Sequence, residues 1–202
     1  MKKKSNPLRR LIERISEYSD IAEIGEIARR YFAMNAFDGV LTIIGVLMGH
    51  YAAGVDDAMI VVTTGLTTSV AIGISGLWGS FLTESAERKR EMDELSHSTL
   101  TDLNGSKIEK ASRFAAVAVA LVDGLSPFLA ALVVLIPFFF ANLFSDIHII
   151  YYVSIGFALL VLFGLGMFLG KISKQSWIVM GLKTLTAGLI SIVISNFLGG
   201  GH

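Results

Sequence analysis

The chain has 202 residues, of which 53% are hydrophobic and none is cysteine, with a formal net charge of zero and a mean hydropathy of +0.64. That hydropathy argues against a water-soluble domain, and the missing cysteine excludes disulfides and thiolate metal sites. The charges crowd into residues 2–30 and 84–113, so the basic groups track the edges of apolar runs and imply no nucleic-acid partner. Those runs are about 20 residues long, the length that crosses roughly 30 Å of hydrocarbon.

Residues 8–30 read as an amphipathic helix lying on the cytoplasmic membrane surface. Leu8, Leu11, Ile12, Ile15, Tyr18, Ile21, Ile24 and Ile27 recur at spacings of three and four, with Arg and Glu between them. Five transmembrane helices follow, at 31–53, 58–83, 114–142, 147–170 and 176–198. The expected fold is therefore all-α and integral to the membrane. Its domain order is 1–30, spans one and two in 31–83, a cytoplasmic Glu-rich helical segment at 84–113, spans three to five in 114–198, and a tail at 199–202.

Charge sets the expected orientation. Lys2, Lys3, Lys4, Arg9, Arg10 and Arg14 precede span one; Arg88, Lys89, Arg90, Lys107, Lys110 and Arg113 separate spans two and three; Lys171 and Lys174 separate spans four and five. The alternate connections, residues 50–58 and 144–148, and the tail carry no Lys or Arg. The positive-inside rule then places the N-terminus in the cytoplasm and the C-terminus outside.

Three features point to chemistry. Asp38 lies eight residues past Arg30, about 12 Å along a helix. A carboxylate at that depth costs several kcal/mol unless paired, hydrated or bound to a cation. Asn35 and Met34, three and four residues before it, would share its face. Asp123 lies ten residues past Arg113, followed by Gly124, Ser126 and Pro127, and a proline there releases a backbone carbonyl. Both aspartates are candidates to line a transport pathway and carry a proton. Glu84, Glu87, Glu91 and Glu94 form a carboxylate stripe at spacings of three, four and three. These like charges repel unless cations compensate them; the compensation would come from a hard divalent metal or from Arg88, Lys89 and Arg90. Asp56 and Asp57 suit either ion release or a helix N-cap, and Lys183 reads as snorkelling to the interface. Gly45 and Gly49 in span one have the small-xxx-small spacing of tight helix contacts, compatible with a homodimer. No nucleophile–base pair, phosphate-cradling glycine loop or histidine cluster suggests an enzyme.

Span one, ARRYFAMNAFDGVLTIIGVLMG at residues 28–49, resembles the first span of the vacuolar iron transporter family, with its Asn/Phe-Asp-Gly stretch after a basic residue. Span two running into ESAERKREMDEL is similar to the family's helix that continues into a Glu-rich metal-binding region. Pro127, Pro137, Gly181 and Gly188 fit its pattern. The resemblance implies export of Fe²⁺ or Mn²⁺ from the cytoplasm by proton exchange, through a homodimer and without a permanent cofactor. Asp38 would be the key aspartate, and Glu84, Glu87, Glu91 and Glu94 the metal-binding glutamates. Gly76 and Ser80 stand where the family has methionine and glutamate, so a membrane protein moving a non-metal solute, or serving as an assembly partner, is the alternative. The short loops suit a prokaryotic plasma membrane.

Overall fold

A computed structural model describes Ser16, Tyr18 and residues 24–199. Among the described residues the chain forms five long α-helices and no strand: α1 (Ile24–Ala52), α2 (Ala58–Thr99), α3 (Lys107–Phe139), α4 (Ile147–Ile172) and α5 (Trp177–Gly199), with a short 3₁₀ turn at Ala141–Leu143. All five are long and apolar enough to cross a membrane, so the protein is integral to the bilayer. Most of the surface helix expected at 8–30 lies outside the described residues. Its last part, 24–30, is the first two turns of α1. Nothing between Ile24 and Ala52 breaks a helix, since that stretch has no proline.

Helix α2 runs for 42 residues without interruption, about 63 Å. That is roughly twice the hydrocarbon thickness, so the stretch bearing the glutamates must project from the membrane as a continuation of the span.

Local chemistry marks the helix ends. Helix α1 stops in a Schellman turn: the Val55 amide donates to the His50 carbonyl and the Gly54 amide to that of Tyr51. Gly54 takes the left-handed conformation this turn requires, at φ +65°. Asp57 caps α2, its carboxylate accepting from the Met59 amide at 2.8 Å, which gives this residue the capping role. Asp146 caps α4 in the same way through His148. Ser106 caps α3 through the Glu109 amide, while the Glu109 carboxylate reaches back to the Gly105 amide at 2.6 Å. Pro127 and Pro137 both sit inside α3, and the helix continues through them.

The chain divides into two compact units. One takes in Gly76–Asp123 and the described residues before Phe32. It holds the projecting half of α2 and the first half of α3, with the Tyr18 and Phe114 rings 6.1 Å apart. The other takes in Phe32–Ser75 and the described residues from Gly124 on, and contains the apolar core. There Val40, Ile43, Ile44 and Leu47 of α1 pack with Val61 of α2, Val134 and Leu135 of α3, and Tyr151, Ala158 and Leu162 of α4. Small residues set the spacing. A Cβ on Gly181 would stand 2.7 Å from the Phe163 ring, and one on Gly188 would meet Leu162 and Leu159, so α5 lies close along α4. The Thr184 hydroxyl reaches across to the Leu162 carbonyl at 2.8 Å.

Candidate functional site

Within the first unit, the start of the projecting segment of α2 is tied to α1 through a polar contact. The Tyr31 hydroxyl donates to Glu84 Oε1 at 3.2 Å. Arg88, one turn further along α2, donates through Nε to Glu84 Oε2 at 3.1 Å. Both side chains are largely buried, Arg88 at 14% and Glu84 at 18% exposure. At that burial, loss of either partner leaves a charge largely out of water without its counter-ion, which is costly. Asp123, half-buried on α3, lies within electrostatic reach of the same Tyr31 hydroxyl. The fold therefore brings two sequence candidates, Glu84 and Asp123, to a tyrosine that the sequence reading passed over. Tyr31 was legible as an interfacial aromatic beside Arg30. One turn before Glu84, Ser80 is 7% exposed and its hydroxyl has no hydrogen-bond partner among the described residues. A buried, unmet hydroxyl costs about 1–3 kcal/mol.

The other stripe glutamates are separate. Glu87, Glu91 and Glu94 are exposed, and Glu94 pairs with Arg90 at 3.0 Å on its own helix. Among the described residues no three His, Asp or Glu side chains gather closely enough to hold one metal ion. Arginine provides part of the compensation the stripe requires.

The second unit positions Asp38. Its neighbour Gly39 presses on α3: a Cβ there would lie 2.6 Å from Pro127 Cα. The Asp-Gly pair thus has two jobs. Glycine lets two backbones touch, and the aspartate, one residue round the helix, turns away from that contact. Asp38 is exposed, and its carboxylate makes no hydrogen bond or ion pair with any described residue. The Thr42 hydroxyl one turn on donates to the Asp38 carbonyl at 2.8 Å. Met34, 53% exposed, lies one turn before. Gly45 and Gly49 follow, with nothing within 4 Å of where a Cβ would stand. At 3.6 residues per turn, Met34, Asp38, Gly45 and Gly49 fall within about 60° of one another. This is an open face of small and polar groups on a membrane span, with a carboxylate in it. Asn35 is half-buried on the neighbouring face and engaged in an interaction of its own.

On α3, Pro127 has no amide proton to give the Asp123 carbonyl four residues back. Close by, a Cβ on Gly73 of α2 would lie 3.1 Å from the Gly124 carbonyl. Far along α1, His50 donates through Nδ1 to the Val46 carbonyl at 2.8 Å, and its Nε2 meets the Thr64 hydroxyl at 3.1 Å. An aromatic cluster closes that end. The Tyr51 and Tyr152 hydroxyls are 2.7 Å apart, and Tyr151 donates to the Val55 carbonyl at 2.9 Å. The tyrosine cluster was not singled out from sequence, because no motif joins residues a hundred positions apart. Asp56 and Lys183 are exposed.

Five apolar helices, one carrying an exposed carboxylate on a small-residue face, define an integral membrane protein. The model of the VIT family matches residues 99–200. An uncharacterized protein of the archaeon Methanocaldococcus jannaschii is 36% identical over 177 residues, covering 86% of this chain and 89% of that protein. The chain belongs to the VIT family, which makes it a membrane transporter of metal or other solute rather than an enzyme. The family match covers α3 to α5 and with them Asp123. The features of α1 and α2 lie before it.

Proposed function

We propose that this protein exports divalent iron or manganese from the cytoplasm in exchange for protons, working as a homodimer in a prokaryotic plasma membrane. The observation that carries the reading is the open α1 face, where the Asp38 carboxylate is exposed and unpartnered on a helix apolar enough to span a bilayer. Such a group facing lipid is costly, and a second copy set against Gly45 and Gly49 would cover it. An aspartate oxygen with the Met34 thioether one turn away offers a hard and a soft donor, which suits a borderline first-row cation. Family membership supports metal as the cargo. The lysine and arginine bias of the connections supports a cytoplasmic N-terminus.

In this scheme the exposed Glu87 and Glu91 collect the cation, with Glu84 and Glu94 released from Arg88 and Arg90 as it arrives. Because no three acids among the described residues of one copy converge, water or the second copy completes the coordination. Asp38 passes the ion, and Asp38 and Asp123 take up the returning proton. The replacement of two expected donors by Gly76 and Ser80 favours the alternative, transport of a different solute on the same fold.

The test is metal flux in proteoliposomes loaded with Fe²⁺/Mn²⁺-sensitive and pH-sensitive dyes. Saturable metal movement with opposing proton flux, reduced at least about tenfold in Asp38→Asn, is the expected result; tenfold equals about 1.4 kcal/mol of lost transition-state stabilisation. Absence of metal flux through folded wild-type protein would pass the case to the alternative.

A further inference from the structure

Beside the glutamate stripe, but on another face of α2, lies a cavity of about 500 Å³ between the projecting part of α2, the turn after it and the first half of α3. None of the four stripe glutamates lines it. It falls wholly within one compact unit and at the level where the apolar spans give way to charge.

The lining has a chemical order. Nearest the spans it is apolar: Phe81 from α2, Ala116 and Val117 from α3. Phe81 and Val117 are themselves exposed, so this end continues the lipid-facing surface of the helices. Next comes a basic layer, Arg88 and Lys89 on α2 and Arg113 on α3. Beyond it lies an acidic layer, Asp93 on α2, Glu109 on α3 and Asp102 in the turn. Three cations and three anions sum to zero, but they are stacked by sign along the axis leading away from the membrane.

Three of these charges form no ion pair with a described residue: Lys89, Asp93 and Asp102, the last accepting only from the Asn104 amide at 2.9 Å. Arg88 is tied to Glu84, and Arg113 to Glu109 at 2.5 Å. Lys89 and Asp93, four apart on the same helix, form no ion pair with each other or with another described residue. They stand about 6 Å apart along the helix axis. An adjacent lysine and aspartate left unpaired at a cavity wall can each engage an outside group of opposite charge.

We propose that this cavity seats the headgroup of an amine-bearing membrane phospholipid. Its acyl chains follow Phe81 and Val117 into the bilayer. Its phosphate sits against Lys89 and Nη1 of Arg113, whose Nη2 stays with Glu109, and its ammonium reaches Asp93 and Asp102. Phosphate lies next to the hydrocarbon and the amine beyond it, which is the order of the two charged layers. Basic pockets beside membrane spans are recognised headgroup sites; the second, acidic layer selects an amine over a neutral headgroup. The inference depends on membrane embedding and not on the identity of the transported solute.

The experiment is native mass spectrometry of the full chain released from detergent, offered phosphatidylethanolamine, phosphatidylglycerol and phosphatidylcholine of equal chain length, with soluble glycerophosphoethanolamine as competitor. The expected result is retention of the ethanolamine lipid about fivefold above the glycerol lipid, a preference lost in Lys89→Glu through loss of binding. Asp93→Asn is expected to hold the two lipids equally, separating amine selection from phosphate binding. Both positions are exposed, and helical circular dichroism checks that the variants fold. Equal retention of all three lipids by wild type, or retention indifferent to both substitutions, overturns the proposal. Displacement by the soluble competitor at matching concentration also overturns it, assigning the cavity to a free phosphoester instead.

Discussion

At the scale of single residues, adjacent positions on α1 divide packing and chemistry between them. Gly39 has backbone on both sides of its contact: a Cβ would lie 2.6 and 2.8 Å from Pro127 Cα and C, and backbone cannot rotate away as a side chain can. Gly39→Ala is therefore expected to destabilise the protein by about 1–3 kcal/mol, read as a lowered thermal midpoint in detergent. Gly79→Ala, where nothing lies within 4 Å, should instead stabilise by about 0.5–1 kcal/mol, the helix preference of alanine over glycine. Asp-Gly in a span was legible as a candidate site. That the glycine faces Pro127 was not, because residues 39 and 127 meet only through packing. The sequence also indicated Glu84 as one of four equivalent carboxylates. Tyr31 and Arg88 make it different from the other three, by burying it and occupying both oxygens.

At the scale of elements, helix length and capping followed from local chemistry, and the ends carry testable strain. Leu100 and Lys174 adopt left-handed backbone at φ 51° and 55°. At Leu100 the Thr101 amide closes back on the Ser96 carbonyl, a Schellman turn without its usual glycine. Leu100 is 94% exposed, so its side chain loses little on removal. Leu100→Gly should raise stability by about 0.5–1 kcal/mol, the relief of left-handed strain less the extra unfolded-state entropy of glycine. At the start of α3, the Gly105 amide holds the Glu109 carboxyl below the usual carboxylate range, aided by Arg113 and Lys110 and opposed by partial burial. A carboxyl depressed on folding stabilises above its unfolded value and loses that contribution as pH falls through the folded value. The α3 N-terminus should therefore begin to fray as pH falls below the unfolded carboxyl value of about 4.3 and fray fully only below the lower folded value, seen as faster amide exchange near Gly105. Glu109→Gln should show that faster exchange already at neutral pH, with its acid dependence gone.

At the scale of the molecule, the open face of α1 makes a prediction about assembly. A Cβ at Gly45 or Gly49 would have nothing within 4 Å in one copy, and neither position is buried, so Gly45→Leu with Gly49→Leu should leave the helical fold intact. If a second copy covers this face, the double substitution halves the mass measured by light scattering in detergent and abolishes transport. An unchanged mass would place any dimer contact elsewhere.

Sequence by itself determined that the chain enters a membrane, how many times it is long enough to cross, and that α2 runs on past its span. Those properties rest on runs of apolar residues and on the absence of breakers, which are local and additive along a chain. It also determined the candidate acids, since an ionisable group in an apolar run stands out wherever it is read. Only the tertiary structure decided which of these acids are already satisfied. Glu84 found Tyr31 across 53 positions, and Asp38 found no partner among the described residues. Pairing depends on which helix faces pack, and in this protein small residues such as Gly39, Gly73 and Gly188 set those faces by close approach, a relation between distant positions that no single stretch of sequence contains.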